Sequence, residues 1–507
     1  MTTEQFIYQS HQEMIEDLII ADKKLSDVVV EIRSLYLSDD RPWILGFSGG
    51  KDSTTILALV YSALSSIPKE KLSKHVYIVS SDTLVETPVV VDMITNVLET
   101  INNEALSSGL PVTGHLVRPQ QDQTFWVNLL GRGYPAPTKS FRWCTERMKI
   151  NPVSEFILDK VAKHGEVIVI LGSRSQESSS RAQVIANHKI SGSLLSRHSS
   201  LPNAYTYMPI SSWSADEVWE FLMSAPCPWP GTNRELFELY KGSNAGECPL
   251  VIDTSTPSCG NSRFGCWTCT VVTKDKAIEG LIESGESWMQ PLLDFRNELH
   301  LSTLPENKPK YRNYKRRMGK VSYIRGELQS DDDSQTRHVP GPYWLKVRQT
   351  WLHRLLTIEK EINESGHKIE LIQKNELEQI RQQWLRDPNE PDWSDSLPGI
   401  YSSVYSDDIN WIENDTGVFT EADAVLLKQI EHGDGAPAEM IMKLIELELS
   451  MSGLSQRKGI LNKIETILKK DWESLEEINE RNLAPSNQTV YSETLERLKL
   501  QYEGLNR

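Results

Sequence analysis

The chain has 507 residues, 39% of them hydrophobic, enough for about three domains of ~150 residues with real cores. No uncharged apolar run approaches the ~18 residues of a membrane span, and the six cysteines are too few for a secreted disulfide framework. A net charge of −16 argues against indiscriminate coating of nucleic acid, because the overall field repels phosphate, while a local basic face or a basic partner remains open.

Residues 1–14 carry Glu4 and Glu13 without a basic start and an apolar block, so no signal peptide is read and the expected compartment is the cytoplasm. Residues 4–37 read as helical, with Ile7, Ile15, Leu18, Ile19, Leu25, Val28, Val29 and Ile32 on one stripe. Arg41-Pro42 closes that segment. Trp43 to Phe47 is a short apolar run, as expected of a buried parallel strand. It enters Ser48-Gly49-Gly50-Lys51-Asp52-Ser53, after which Ile56, Leu57, Leu59, Val60 and Leu64 recur at helical spacing. Strand, glycine turn and helix aim amide N–H groups and the positive end of a helix dipole at one point, an arrangement that binds phosphate. Neither the spacer of the kinase and GTPase loop nor a Gly-x-Gly-x-x-Gly fingerprint is present. Ser48, Gly49, Gly50, Lys51, Asp52 and Ser53 are the candidate nucleotide-binding residues, with Lys51 and Asp52 also candidates for catalysis.

A second strand is expected at His75–Val79, a helix at Val89–Leu106, a third strand at Gly114–Val117 and a fourth at Val167–Leu171. Alternating strands and helices predict an α/β fold with a doubly wound parallel sheet. Ligands of such sheets lie beyond the carboxyl ends of the strands, where Ser48, Asp82 and Gly172 emerge. Asp82, with Thr83, is either a nucleotide contact or a helix-capping acid. Arg142, Lys149, Arg174 and Arg181 are expected at the same mouth, where guanidinium groups would hold phosphate. Ser214 reads as the N-cap of a helix whose first turn holds Asp216 and Glu217.

Four cysteines, Cys248, Cys259, Cys266 and Cys269, lie close together in sequence, and the last two have chelate spacing. Four such thiolates suit a structural zinc or a [4Fe–4S] cluster, and spacing does not separate the two. Cys227 reads as structural. Cys144 stands beside Arg142, Arg147 and Lys149; nearby cations lower a thiol pKa, so it is read as a persulfide carrier or nucleophile, or else as an inert thiol. Residues 308–325 are basic and interleaved with Tyr311, Tyr314 and Tyr323, a candidate phosphate-backbone surface or a solvated positive loop. A helix is expected from Leu345 to Ile362, and from about residue 406 the chain reads as helical and charged.

Ser-Gly-Gly-x-Asp-Ser resembles the signature of the PP-loop ATP pyrophosphatases. Together with Asp82-Thr83, Arg142-Trp143-Cys144-Thr145, Gly172-x-Arg174 and Asp216-x-Val218-Trp219, it makes residues 40–225 similar to the PAPS reductase family in the broad sense. The loop favours ATP, and the Glu-Cys-Gly-Leu-His tail of true PAPS reductases is missing. Adding the cysteine block Cys259 to Cys269 and Pro340-Gly341-Pro342-Tyr343, most of the chain resembles the DndC family, ATP pyrophosphatases and sulfurtransferases of bacterial DNA phosphorothioation.

That resemblance implies a [4Fe–4S] cluster on Cys248, Cys259, Cys266 and Cys269, ATP with Mg2+, and catalytic roles for Lys51, Asp52, Cys144 and Arg174. It implies a cysteine desulfurase as sulfur donor, companion Dnd proteins, and DNA reached through residues 308–325 or a partner. A tRNA-thiolating or sulfate-adenylating enzyme, and a noncatalytic cluster-bearing scaffold, are the rival readings. The expected organisation is a helical segment 1–40, a PP-loop domain 41–240, a cysteine-cluster and basic segment 241–345, and a helical accessory region 346–507.

Overall fold

The computed structural model describes residues 18–20, 23–177, 183, 187–242, 265–323, 338–406, 409–412, 421–430, 437–451 and 457–483. The chain divides into two compact units: Met1–Phe125, Pro137–His300 and Ile362–Leu371 form the first, and Trp126–Ala136, Leu301–Glu361 and Ile372–Arg507 the second.

The first unit is built on a sheet of strands β1 (Trp43–Gly46), β2 (Val76–Ser81), β3 (Val112–Val117), β4 (Val167–Ile170), β5 (Ser196–Arg197) and β6 (Ala204–Tyr207). The spatial order is β3-β2-β1-β4-β6-β5, with β5 antiparallel to β6 and every other pair parallel. Successive side chains of β1 point to opposite faces, as a pleated strand requires. Trp43, Leu45 and Phe47 enter a core with residues of α1 (Leu25–Leu37), α2 (Lys51–Ser65), α3 (Pro88–Ser108) and α5 (Ala215–Ser224). Ile44 joins Val79, Val167, Val169 and Leu171 on the other face, against Ile157 of α4 (Asn151–His164). The doubly wound α/β sheet expected from the alternating pattern is the fold observed. It places the carboxyl ends of β1, β2 and β4 side by side.

Ser214 caps α5 through a capping box, its hydroxyl accepting from Glu217 N at 3.2 Å while its own N–H donates to Glu217 Oε2 at 2.5 Å. The N-terminal reading needs correction. Ile19–Ile20 pairs antiparallel with Lys23–Lys24, and α1 begins only at Leu25. The β-branched isoleucines favour extended backbone over a helix there; residues 4–17 lie outside the described residues.

His75, just before β2, and His115, within β3, flank Thr113, whose Oγ1 lies 2.7 Å from one Nε2 and 2.8 Å from the other. Both rings pack on Tyr77, and Lys160 sits 4.7 Å above that ring. Burial lowers both histidine pKa values; Lys160 adds to both, and His115 and His164 add at His75. The unfolded chain therefore binds more protons, so this pair contributes stability above about pH 6.5 that is lost on acidification. The melting temperature is expected to fall between pH 7 and pH 5.5, and His115→Gln to flatten that fall; a pH dependence identical in the variant would refute the assignment.

The second unit is helical, with α9 (Leu345–Glu364), α10 (Lys374–Leu385), α11 (Ser396–Tyr405), α12 (Glu421–Ile430), α13 (Ala438–Ser450), α14 (Ile460–Leu468) and α15 (Leu475–Leu483). Buried Trp351, Leu352, Leu355, Ile380 and Trp384 form its interior. Trp384 Nε1 donates to Leu130 O at 2.7 Å, and buried Arg348 donates to Gly131 O at 2.7 Å and to Asp387 Oδ2 at 3.0 Å. No helix among the described residues is long and apolar enough to cross a membrane.

Candidate active site

The turn after β1 is shaped by one left-handed residue. Gly49 has φ +70°, and a Cβ there would lie 2.8 Å from Ile94 Cγ1 and Met93 Cε of α3. Only glycine takes that backbone and that space without strain. Gly50 is the extended N-cap of α2, with no side-chain cap of its own. Ser53 ties the turn from inside: its hydroxyl donates to Gly50 O at 2.9 Å and accepts from Ser48 N at 3.2 Å. The sharp strand-to-helix turn read from Ser48–Ser53 is present. One acceptor already meets it, since Lys51 N donates to the hydroxyl of Tyr240 at 3.2 Å. Tyr240, on α6 (Arg234–Gly242), is buried with its ring edge against Trp219 of α5 and 5.8 Å from Lys51 Nζ.

Beneath the turn lies a buried charge network. Lys51 is 2% exposed and Arg174 is 1% exposed. Arg174 Nε donates to Asp52 Oδ1 at 2.7 Å, its Nη1 reaches Trp213 O at 3.5 Å, and Lys51 Nζ lies 3.5 Å from Asp52 Oδ2. Gly172, just past β4, allows this approach: a Cβ there would sit 3.0 Å from the backbone carbon of Asp52.

The loop after β2 is the second wall. Asp82 Oδ1 accepts from Leu84 N at 2.9 Å, and its Oδ2 accepts from Arg118 Nε at 2.9 Å. It therefore closes a local turn rather than capping α3, whose N-cap is Thr87. Glu86 takes Lys149 Nζ at 3.0 Å and the Thr83 hydroxyl at 3.0 Å. Arg174 and Lys149 thus meet different carboxylates, Arg142 is partly buried, and Arg181 lies outside the described residues.

Against this loop docks the Cys266–Cys269 turn, in which Cys269 N donates to Cys266 O at 3.0 Å. Glu86 and Cys266 form an isolated antiparallel bridge, with Trp267 N on Val85 O at 3.0 Å and Thr87 N on Gly265 O at 2.9 Å. The Cys266 sulfur lies 3.4 Å from Thr83 Oγ1. From below, past α7 (Lys276–Glu283), fully buried Arg296 of α8 (Gln290–Leu301) donates to Cys269 O at 2.8 Å, to Thr273 O at 2.9 Å and to Val272 O.

Cys144 precedes a π-helical turn, Thr145–Ile150, and its thiol is within electrostatic reach of both Cys266 and Cys269. Burial pushes the Cys144 thiol up to about 11 and Cys269 adds to the rise, both outweighing Lys149. The expectation that neighbouring cations lower this pKa is therefore corrected: loss of hydration disfavours the thiolate more than one lysine favours it. Burial, then Glu86, raises the Cys266 thiol as well. Cys144, Cys266 and Cys269 carry no disulfide. Among the described residues no three His, Cys, Asp or Glu side chains close on a single metal ion. Cys248 and Cys259 lie outside the described residues.

Two contributors escaped the sequence reading. Tyr240 left one signal, its i,i+3 spacing from Phe237, with both rings edge-on to Trp219. Arg296 shares the helix face of Leu292, Leu293 and Leu299, unlike its neighbours Asp294 and Glu298, and a cation on that buried face requires acceptors.

Residues 42–272 match the phosphoadenosine phosphosulfate reductase domain family. Two uncharacterized proteins of Methanocaldococcus jannaschii are similar, at 25% identity over 228 residues and 24% over 215. The aligned stretches are 44% and 42% of this chain, and they span only 41% and 43% of those relatives. Among solved structures, Candida glabrata FMN adenylyltransferase, in complex with FAD and inorganic pyrophosphate, is 13% identical with a TM-score of 0.29, covering 60% of this chain and 84% of that one. The U34-tRNA thiolase NcsA from Methanococcus maripaludis with its [4Fe-4S] cluster is 14% identical with a TM-score of 0.27, covering 43% and 72%.

Proposed function

On the premise of a phosphoadenosine phosphosulfate reductase domain over residues 42–272, we propose that this chain is an ATP pyrophosphatase that activates a DNA backbone phosphate and replaces a non-bridging oxygen with sulfur. The observation that carries the reading is the Ser48–Ser53 turn, where Gly49 and Gly50 leave the backbone N–H groups at the head of α2 clear of side chains of their own. A DNA phosphate oxygen attacks the α-phosphorus of ATP and pyrophosphate leaves; persulfide sulfur, reduced by two electrons from a dithiol to hydrogen sulfide, then attacks the DNA phosphorus and AMP leaves with the former non-bridging oxygen. Lys51 neutralises charge on the departing pyrophosphate. Arg174 acts through Asp52, holding the carboxylate that faces Lys51. Tyr240 occupies the Lys51 N–H that a phosphate oxygen would take, so nucleotide entry exchanges one acceptor for the other.

The thiol chemistry suits a cluster: Cys266 and Cys269 share one turn, and Cys144 lies within electrostatic reach of both. Cys266 and Cys269, with Cys248 and Cys259, would hold it, and a bound cluster would supply a place for sulfur. A cysteine desulfurase as donor and companion Dnd proteins complete the proposed cytoplasmic system.

The test is the product of ATP turnover with Mg2+ and DNA. AMP and pyrophosphate are expected, with Lys51→Ala slower by about 10²–10³-fold, the usual loss on removing one group that stabilises charge in the transition state. ADP and phosphate would refute the assignment. Sulfur found by mass spectrometry in digested tRNA, and not in DNA, would move the acceptor.

A further inference from the structure

The basic segment of the second unit separates into a packed part and a displayed part. Arg312 donates to Gly341 O at 2.7 Å and to Pro340 O at 2.8 Å. Tyr311 stacks on Trp351, Tyr314 donates to Glu473 O at 3.2 Å, and Tyr323 donates to Asn479 Oδ1 at 2.6 Å. The tyrosines expected to face a nucleic acid are thus engaged within the protein.

What remains exposed is Lys310, 5.3 Å from the Tyr311 ring, and the turn Arg316–Lys320, where the Arg317 guanidinium lies 5.6 Å from the Tyr134 ring and keeps its edge outward. Arg316 N donates to Lys320 O at 2.8 Å and Gly319 N to Arg316 O at 2.7 Å, with Gly319 at φ +79° packed on Lys470. Its backbone is pinned from outside: Asp471 N donates to Gly319 O at 2.8 Å, Val321 N to Asp471 Oδ2 at 2.7 Å, and Asn389 Nδ2 to Arg316 O at 3.1 Å. Arg316, Arg317, Met318 and Lys320 are exposed, Met318 at 70%. Among the described residues no carboxylate pairs with these three cations, although the chain carries 70 acidic residues against 54 basic ones. A backbone held this firmly, with cations of one sign turned outward, is preorganised for a fixed array of anions.

We propose that the Arg316–Lys320 turn grips the phosphate backbone of duplex DNA through Arg316, Arg317 and Lys320. This rests on the DNA reading above. An anionic membrane is the poorer fit, because surface-seeking basic stretches use about 4–8 cations and gain roughly 1 kcal/mol from each.

The experiment is fluorescence anisotropy of the full chain with labelled duplex DNA of mixed sequence, over a range of NaCl. Each phosphate contact contributes about 0.9 to the slope of log affinity against log salt, so Arg316→Ala/Arg317→Ala/Lys320→Ala should flatten it by about 2.7, equally for all sequences. Met318→Ala should leave the slope unchanged, and matching melting curves confirm that the triple variant folds. An unchanged slope in the triple variant, no DNA binding by the wild type, or wild-type preference for tRNA or phosphatidylserine vesicles would overturn the proposal. AMP and pyrophosphate formation with a wild-type slope in the triple variant sinks the surface alone; the expected slope change without those products sinks the reaction alone.

Discussion

Asp52→Ala is expected to destabilise the first unit by about 3–5 kcal/mol, the cost of breaking a buried ion pair by removing one of its members. Arg174 is essentially inaccessible and directs Nε at Asp52 Oδ1 from 2.7 Å. Lys51 Nζ lies 3.5 Å from the other oxygen, so removing the carboxylate withdraws a counter-charge that both buried cations share. Arg174→Met should cost less, because Asp52 keeps Lys51. The double variant should cost less than the sum of the singles, the signature of a direct pair. Urea unfolding of the three variants measures this. A loss below about 1 kcal/mol for Asp52→Ala would mean that water reaches the network and that Arg174 does not set the geometry of the turn.

The second large effect concerns the thiols. Cys266→Ser and Cys269→Ser are each expected to strip most iron and sulfide from anaerobically purified protein, because the two thiols stand on one turn that docks on the Glu86 loop. Thiolate ligands are required for such a centre, and a serine oxygen is a poor replacement. Iron and sulfide counts with an absorption spectrum decide. If Cys144→Ser keeps its iron while sulfur transfer is lost, Cys144 is a carrier and not a ligand. If all three variants and the wild type are equally free of iron, the cluster assignment fails.

The parts of this protein that follow from local chemistry were legible in its sequence. An apolar run at Trp43–Leu45, glycines that admit a left-handed turn, and apolar spacing after Ser53 fix strand, loop and helix with no distant information. The last two strands were not legible: Ser196–Arg197 is two residues long, and Ala204-Tyr-Thr-Tyr207 has no apolar run to announce it. The basic segment read as uniform because the partners that bury half of it, Glu473 and Asn479, lie far along the chain. The raised pKa of the Cys144 thiol has a related cause. Charge neighbours are visible in sequence, whereas burial is a property of the folded whole.

The bridge between Glu86 and Cys266 makes two distant stretches of chain into a single mechanical part. Asp82 and the cysteine turn hang from the same short ladder, so ordering either one lowers the entropic cost of ordering the other. Occupants of the two places would then help each other to bind, and by the same factor in each direction. A change at either place would thus be felt at the other without any large movement of the parts between them.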